Sequence, residues 1–409
     1  MNTQSKTMRN VIGLLGALAL TLPGAAQVAV RGETIHTMNG APIRDGVVVI
    51  TDGKIVQVGP ASQVRIPNGY QVLSAKVVTP GLVDAHSVVG LAGQFNYDHD
   101  QDQLESSDPI QPELRAIDAY NTRERLVEWV RSFGVTTIHT GHGPGELVSG
   151  QTIITKTIGN TVEDSTIVPF AMIACTLGES AQKEGGKSPG NRSKMMFMLR
   201  AELIKAREHR DKIANAEEGK APDRDIGLES MIKVLDGEIP LMITAHRAVD
   251  INNALRLKAE FGIDIVLDGA CEAYLLLDEI KASGVPVFVH PTMTRAYQET
   301  QNLSMENASL LRDAGIPFAL QSGFESYVPK TRIVLFEAGV AAANGLSFEE
   351  ALASITINAA RLLGVDDRVG SIEIGKDGDL ALYDGDPLEY TTHCIGTIIE
   401  GEVVSDVVR

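Results

Sequence analysis

The sequence predicts an α/β fold, a (β/α)8 TIM-type barrel bracketed by two short β regions, and three observations carry this. First, nearly all-apolar runs are each followed by an amphipathic segment that stops at glycine. LMITAH (241–246) precedes AVDINNALRLKAEFG, IDIVLDG (263–269) precedes ACEAYLLLDEIKASG, VPVFVHP (285–291) precedes SMENASLLRDAG, and IPFALQSG (316–323) precedes TRIVLFEAGVAAANG. That grammar describes parallel strands buried on both faces, with crossover helices. Second, the number of such units in roughly 290 residues favours a closed barrel over an open doubly wound sheet, and no glycine-rich phosphate fingerprint follows any strand. Third, the segments at both ends alternate apolar and polar residues with a period of two, the mark of half-buried strands.

The elements follow in order. Lys6 and Arg9, the apolar run Val11 to Leu22 and Pro23-Gly24-Ala25-Ala26 have the three parts of a secretory signal peptide, cut near Ala26. The run falls short of the ~20 residues that span a bilayer, so the expectation is export to a periplasm or beyond. VVVITDGKIVQVG (47–59) reads as a hairpin turning at Asp52-Gly53. From residue 77 the strand–helix grammar begins. NTRERLVEWVRSFG reads as a helix with Asn121 as N-cap and Gly134 as its stop, leading into the strand GVTTIHTG (134–141). AQKEGGKSPGNRSK (181–194) has no period and reads as a solvated loop or a lid. RVGSIEIGKDGDLALYDGDPLEYTTHCIGTIIEGEVV (368–404) returns to β grammar. The expected division is a signal peptide at 1–26, β regions at 27–76 and 368–409, and the barrel at 77–367.

With 409 residues and a net charge of −17, the chain can bury a large core, and its summed field opposes binding to nucleic acid or to an anionic membrane surface. Three scattered cysteines, Cys175, Cys271 and Cys394, suit neither a disulfide framework nor a zinc ribbon.

TPGLVDAH, followed much later by TINAARLLGVDDRVGSIEIGKDGDLALYDGDP, resembles the amidohydrolase superfamily, and its imidazolonepropionase-like and related exported branches are the most similar. DPIQPELRAIDAYN, GVTTIHTGHGPGELVSGQTIITKTIG and LMITAHRAVDINNALRLKAEFGIDIVL fit in the same order. The resemblance implies a distorted (β/α)8 barrel with a β-sandwich made from both chain ends. It also implies hydrolysis of C–N bonds by water on one or two divalent metals, whose histidine and carboxylate ligands lower the pKa of that water.

Carried over residue by residue, the resemblance fails at the metal. His86 matches the first histidine of the family's strand-one pair, but Val88 stands at the second. Thr244 stands where strand five has its ligand, with His246 matching a histidine that is not one. Gly269 follows Asp268 where strand six has a histidine, Gly323 stands at the strand-eight aspartate that serves as general base, and a bridging lysine would fall at Ala174. Valine and two glycines offer no donor, and threonine is a poor zinc ligand.

Two expectations from different classes follow. One is a weakly active or inactive homologue with no cofactor, acting as a binding or partner subunit. Its partners would be a small amide-like ligand, an active paralogue or copies of itself. The other is an active C–N hydrolase using zinc or another divalent metal in an atypical, mononuclear site, for which His86, His246 and Glu179 are the candidate ligands. A two-lobed solute-binding protein is disfavoured, because no hinge pattern appears. His139, His142, His290 and Glu325 lie at or past strand ends as well. For His139 and His142, in a glycine-rich turn, the bland expectation is contact with solvent, and for His86 and His246 it is packing near the old site. Asp84 and Asp268 form a metal-free acid/base alternative, with Asp84 favoured as structural.

Overall fold

The computed structural model describes residues 27–95, 97–217, 220–325 and 330–409; the expected signal peptide at 1–26 lies outside the described residues. Four strands come first, β1 (Gln27–Ile35), β2 (Ile43–Thr51), β3 (Lys54–Pro60) and β4 (Gln71–Pro80). The central region supplies β5 (Leu82–Ser87), β6 (Val135–Thr140), β7 (Val148–Gln151), β8 (Ile153–Lys156), β9 (Thr166–Val168), β10 (Ile173–Thr176), β11 (Leu241–Ala245), β12 (Ile265–Gly269), β13 (Val287–Val289) and β14 (Phe318–Leu320). The chain ends with β15 (Leu380–Tyr383), β16 (Cys394–Ile399) and β17 (Glu402–Ser405).

The two chain ends do combine, as one seven-stranded sheet in the order β17-β16-β15-β4-β1-β2-β3. β4 pairs with β1 on one edge and β15 on the other, so the ladder is continuous where a sandwich would have two separate sheets. The β2–β3 hairpin turns at Asp52 and Gly53, both at positive φ, as a two-residue turn matched to strand twist requires. The sheet curls enough for Ile55 N to reach Lys376 O, and for Gly378 N to reach Gly53 O. Val30, Ile50, Val78, Leu380 and Ile398 fill its concave side. β4 runs to Pro80, past the expected boundary at 76.

In the central region seven strands run parallel, in two ladders. β5 pairs with β6, while β10, β11, β12, β13 and β14 pair in sequence. Antiparallel β8 and β9 extend the first ladder and β7 the second. The ladders do not close; one seam is a single parallel bridge between Ser87 and Gly323, with Gly323 N donating to His86 O (3.1 Å). Alternation sorts the strand residues into two layers. Val83, Ala85, Met242, Val266, Phe288 and Ala319 pack together inside, whereas Leu82, Ile243, Leu267 and Val287 meet the surrounding helices.

Helices Ala248–Phe261, Leu277–Ser283 and Asn307–Ala314 end on left-handed Gly262, Gly284 and Gly315, conformations that only glycine adopts without strain. The expected helix at 121–134 is shorter, Arg125–Arg131. Asn121 instead caps the Arg123 amide in a local turn, and the Glu124 carboxylate accepts from Leu126 N. Of the expected loop at 181–194, the last three residues already belong to helix Arg192–Ala214, which Asn191 caps. The segment is tied at both ends. Glu299 accepts from the amides of Glu179 and Ser180, Lys183 pairs with buried Glu146, and Arg192 forks onto buried Asp250 at 2.7 and 2.8 Å.

Candidate functional site

Two residues beyond each inner apolar position, the parallel strands place Thr244, Asp268, His290 and Gln321 in one layer at their C-terminal ends. A register shift between Asp84 and Ser87 turns His86 into the same layer. Asp268 is its hub. His86 Nδ1 donates to Oδ1 (3.0 Å), Gln321 Nε2 donates to the same oxygen (2.7 Å), and Thr244 Oγ1 donates to Oδ2 (2.6 Å). All four side chains are buried. Burial pushes the Asp268 carboxyl up, but the facing His86 and the three donated bonds outweigh it and hold the group down at about 2. Asp268 is therefore an ionised acceptor, and His86 carries a proton on Nδ1.

Two further imidazoles adjoin the Asp268 network, His290 of the same layer and His246 just past β11. His246 Nδ1 lies 3.0 Å from Cys271 Sγ. His290 Nδ1 donates to Gln321 O (3.3 Å), and its ring lies within 4 Å of Glu325 and Glu337. Burial lowers the pKa of both histidines. Each ring rests against a glycine singled out by the resemblance, His246 against Gly269 and His290 against Gly323. A Cβ on Gly269 (φ +75°) would fall 2.5 Å from the His246 ring, and one on Gly323 (φ +66°) would overlap the His290 ring. Neighbouring histidines thus occupy the space that side chains at these two positions would need.

These residues do not fit the family's metal. His86 Nδ1 and both Asp268 oxygens bind one another and their neighbours, the Thr244 hydroxyl proton points at Asp268, and Val88 is buried hydrocarbon. Among the described residues no three His, Cys, Asp or Glu side chains converge as a metal requires. Glu179, a candidate ligand from sequence, is exposed in a short 3-10 turn, its amide donating to Glu299 and its carbonyl accepting from Gln182 N. The structure brings His86 and Asp268 together and leaves Glu179 outside that network.

The histidines expected to meet solvent are buried. His139 donates from Nδ1 to Ala85 O (2.7 Å) and accepts at Nε2 from Thr152 Oγ1 (2.7 Å), and burial lowers its pKa to about 3. His142 packs on Gly150, with neither ring nitrogen in a good hydrogen bond, and burial lowers its pKa to about 4. Asp84 accepts from Ser322 N (2.9 Å) and Ser322 Oγ, stitching β5 to the end of β14, and burial raises it to about 7 against those bonds. That contact is structural. Gln321, which sequence reasoning did not single out, is betrayed by period alone: it lies two past inward-facing Ala319.

Comparison with known proteins agrees with this architecture. A family model described as the amidohydrolase family matches residues 242–405. The imidazolonepropionase of Rhizorhabdus wittichii is 25% identical over 380 residues, covering 87% of this chain and 92% of that protein. That of Stenotrophomonas maltophilia is 27% identical over 379 residues, covering 84% and 87%. The crystal structure of an amidohydrolase from Thermotoga maritima superposes with a TM-score of 0.87 at 27% identity, over 93% of this chain and 100% of that one.

Proposed function

Because the chain belongs to the amidohydrolase superfamily, we propose that it is a homologue that has kept the family's barrel and mouth but gives up metal-dependent hydrolysis to bind a small amide-like ligand. In this reading the two central ladders are the wall of a distorted (β/α)8 barrel, and the curled seven-stranded sheet stands for the family's sandwich. The chain is exported after cleavage near Ala26 and works as a binding subunit, alone as a homo-oligomer or beside an active paralogue. One observation carries it: the groups that would have to hold a metal are tied into the Asp268 network, or are replaced by glycines against which imidazoles pack.

The test is metal analysis of mature protein purified without chelator from a metal-supplied host, together with an amide-hydrolysis screen. The reading expects less than about a tenth of a divalent ion per chain, far below what a tight catalytic zinc site retains, and no turnover. About one ion per chain with turnover, both abolished by His86→Ala and His246→Ala, would establish instead an atypical mononuclear hydrolase.

A further inference from the structure

A helix on the outside of the central strands is expected to turn a polar face to solvent, and helix Val334–Ala343 does not. Its sequence, VLFEAGVAAA, holds one charged residue, Glu337, and that one is buried. Its outward stripe is Phe336, Gly339, Val340 and Ala343, at spacings of three and four. Phe336 is 54% exposed and stands edge-on to Phe133, with ring centroids 5.6 Å apart. Between this stripe and the segment after β15 lies a cavity of about 740 Å³, lined by Phe133, Phe336, Val340, Leu388 and Tyr390 among others. Tyr390 is 99% exposed, on a turn that is itself fixed. Leu388 N donates to Asp386 Oδ1 (2.9 Å), Thr392 N to Glu389 O (3.0 Å) and His393 N to Asp384 Oδ1 (2.8 Å). The rim carries two opposite charges, Glu389 and Arg409, neither of them in an ion pair among the described residues. Glu389 is bonded through its backbone alone. Arg409 exchanges two backbone bonds with Cys394 (2.9 and 3.0 Å) and donates from Nε to Ser132 Oγ (3.2 Å), which leaves its two Nη groups free.

We propose that two copies of the chain pair through this face about a two-fold axis, the Tyr390 ring of each entering the other's cavity and Arg409 of each meeting Glu389 of the other. A contact between identical faces must be complementary to itself, and this one is. It holds both the protruding ring and the hollow, both the unpaired base and the unpaired acid, whereas a different partner would call for only one of each. At roughly 150–250 Å² per aromatic side chain, Phe336 and Tyr390 of two copies supply several hundred Å² towards the roughly 1,000 Å² that a specific interface needs, and the rest of the stripe adds to it. Phe133, on the cavity wall, stands just before β6, so the cavity lies towards the strand starts, away from the Asp268 layer at the strand ends. The pairing deepens the homo-oligomer arm of the proposed function and does not depend on whether the mouth binds metal.

The experiment is sedimentation velocity on the full mature chain over a range of concentrations, with native mass spectrometry and metal analysis of the same samples. Wild type should be a dimer at about 10 µM. Tyr390→Asp should raise the dissociation constant more than about a hundredfold, because each dimer loses two anchors, while far-UV circular dichroism stays that of wild type, since the side chain lies outside the core. Glu389→Arg and Arg409→Glu should each weaken pairing at least about tenfold by setting like charges together, and an equimolar mixture of the two variants should recover it, because only the mixed pair restores opposite charges at both contacts. A wild-type monomer at that concentration overturns the proposal, whether it is bare, carries a small molecule in its native mass spectrum or pairs only with another protein. So does a dimer indifferent to Tyr390→Asp, which pairs through another face, and so does a mixture no tighter than its components. Metal in a dimer overturns the metal-free reading alone, and a metal-free monomer overturns the pairing alone.

Discussion

His142 should make the protein acid-sensitive through its burial alone, and His142→Leu should remove that sensitivity. The imidazole is buried at the end of β6, packed on Gly150, and burial lowers its pKa from 6.5 to about 4. A base whose folded pKa is depressed favours the fold while it stays neutral. Its stabilisation is complete above the unfolded value of 6.5 and is lost as pH falls towards the folded value. Between pH 7.5 and 4.5 two units of that window are crossed, at about 1.4 kcal/mol per unit, so wild type should lose roughly 2–3 kcal/mol that the leucine variant keeps. At pH 7.5 the two should agree within about 1.5 kcal/mol, because the substitution is close in volume and neither ring nitrogen is well bonded. Urea unfolding at both pH values gives the double difference, in which His139 and the carboxylates cancel. Parallel pH profiles would refute the argument that burial keeps this imidazole neutral.

Restoring the family's residues should not restore a metal: Gly323→Asp and Gly269→His should each destabilise by roughly 2–4 kcal/mol, from overlap with an imidazole plus left-handed strain, read by thermal unfolding with metal content measured alongside. Lys156, on β8, bonds Asp377 (2.6 Å) and Asp379 (3.2 Å), both buried; Asp377 keeps Lys54 and Arg368, but Lys156→Met leaves Asp379 without its cation and should cost about 3 kcal/mol, measured by urea denaturation. Lys183→Ala should free the 182–191 segment from Glu146 and speed limited proteolysis there, while global stability changes by less than the Lys156 variant.

The repeating units were legible because each combines an apolar run, an amphipathic segment and a glycine stop, and β11 to β14 with their helices fall within a few residues of those signals. β7 to β10 carry no such grammar. They are three or four residues long, three of their pairings are antiparallel, and no glycine-terminated helix follows β7, β8 or β9. Asn121 misled as a cap because its side chain satisfies Arg123 in a turn, a competition that asparagine offers wherever it stands. The residues at these strand ends were legible by position. What they pack against was not, since the contacts of Gly323 with His290 and of Gly269 with His246 join residues 33 and 23 apart, and those of Asp268 span up to 182 residues.

Those contacts bear on how the site came to have its present form. If the metal centre had simply decayed, the vacated positions would face open space, and each could take its old side chain back at little cost. Instead the two glycines adopt φ values suited to residues without Cβ, and imidazoles lie against the faces where side chains would project. His86 gives Nδ1 to Asp268, and Thr244 supplies a proton to the same carboxylate. The substitutions thus depend on one another: Thr244 and Gln321 satisfy Asp268, and Gly269 and Gly323 make room for His246 and His290. A layer so interlocked behaves as one cooperative polar network, so a change at any one of these residues is felt by the others.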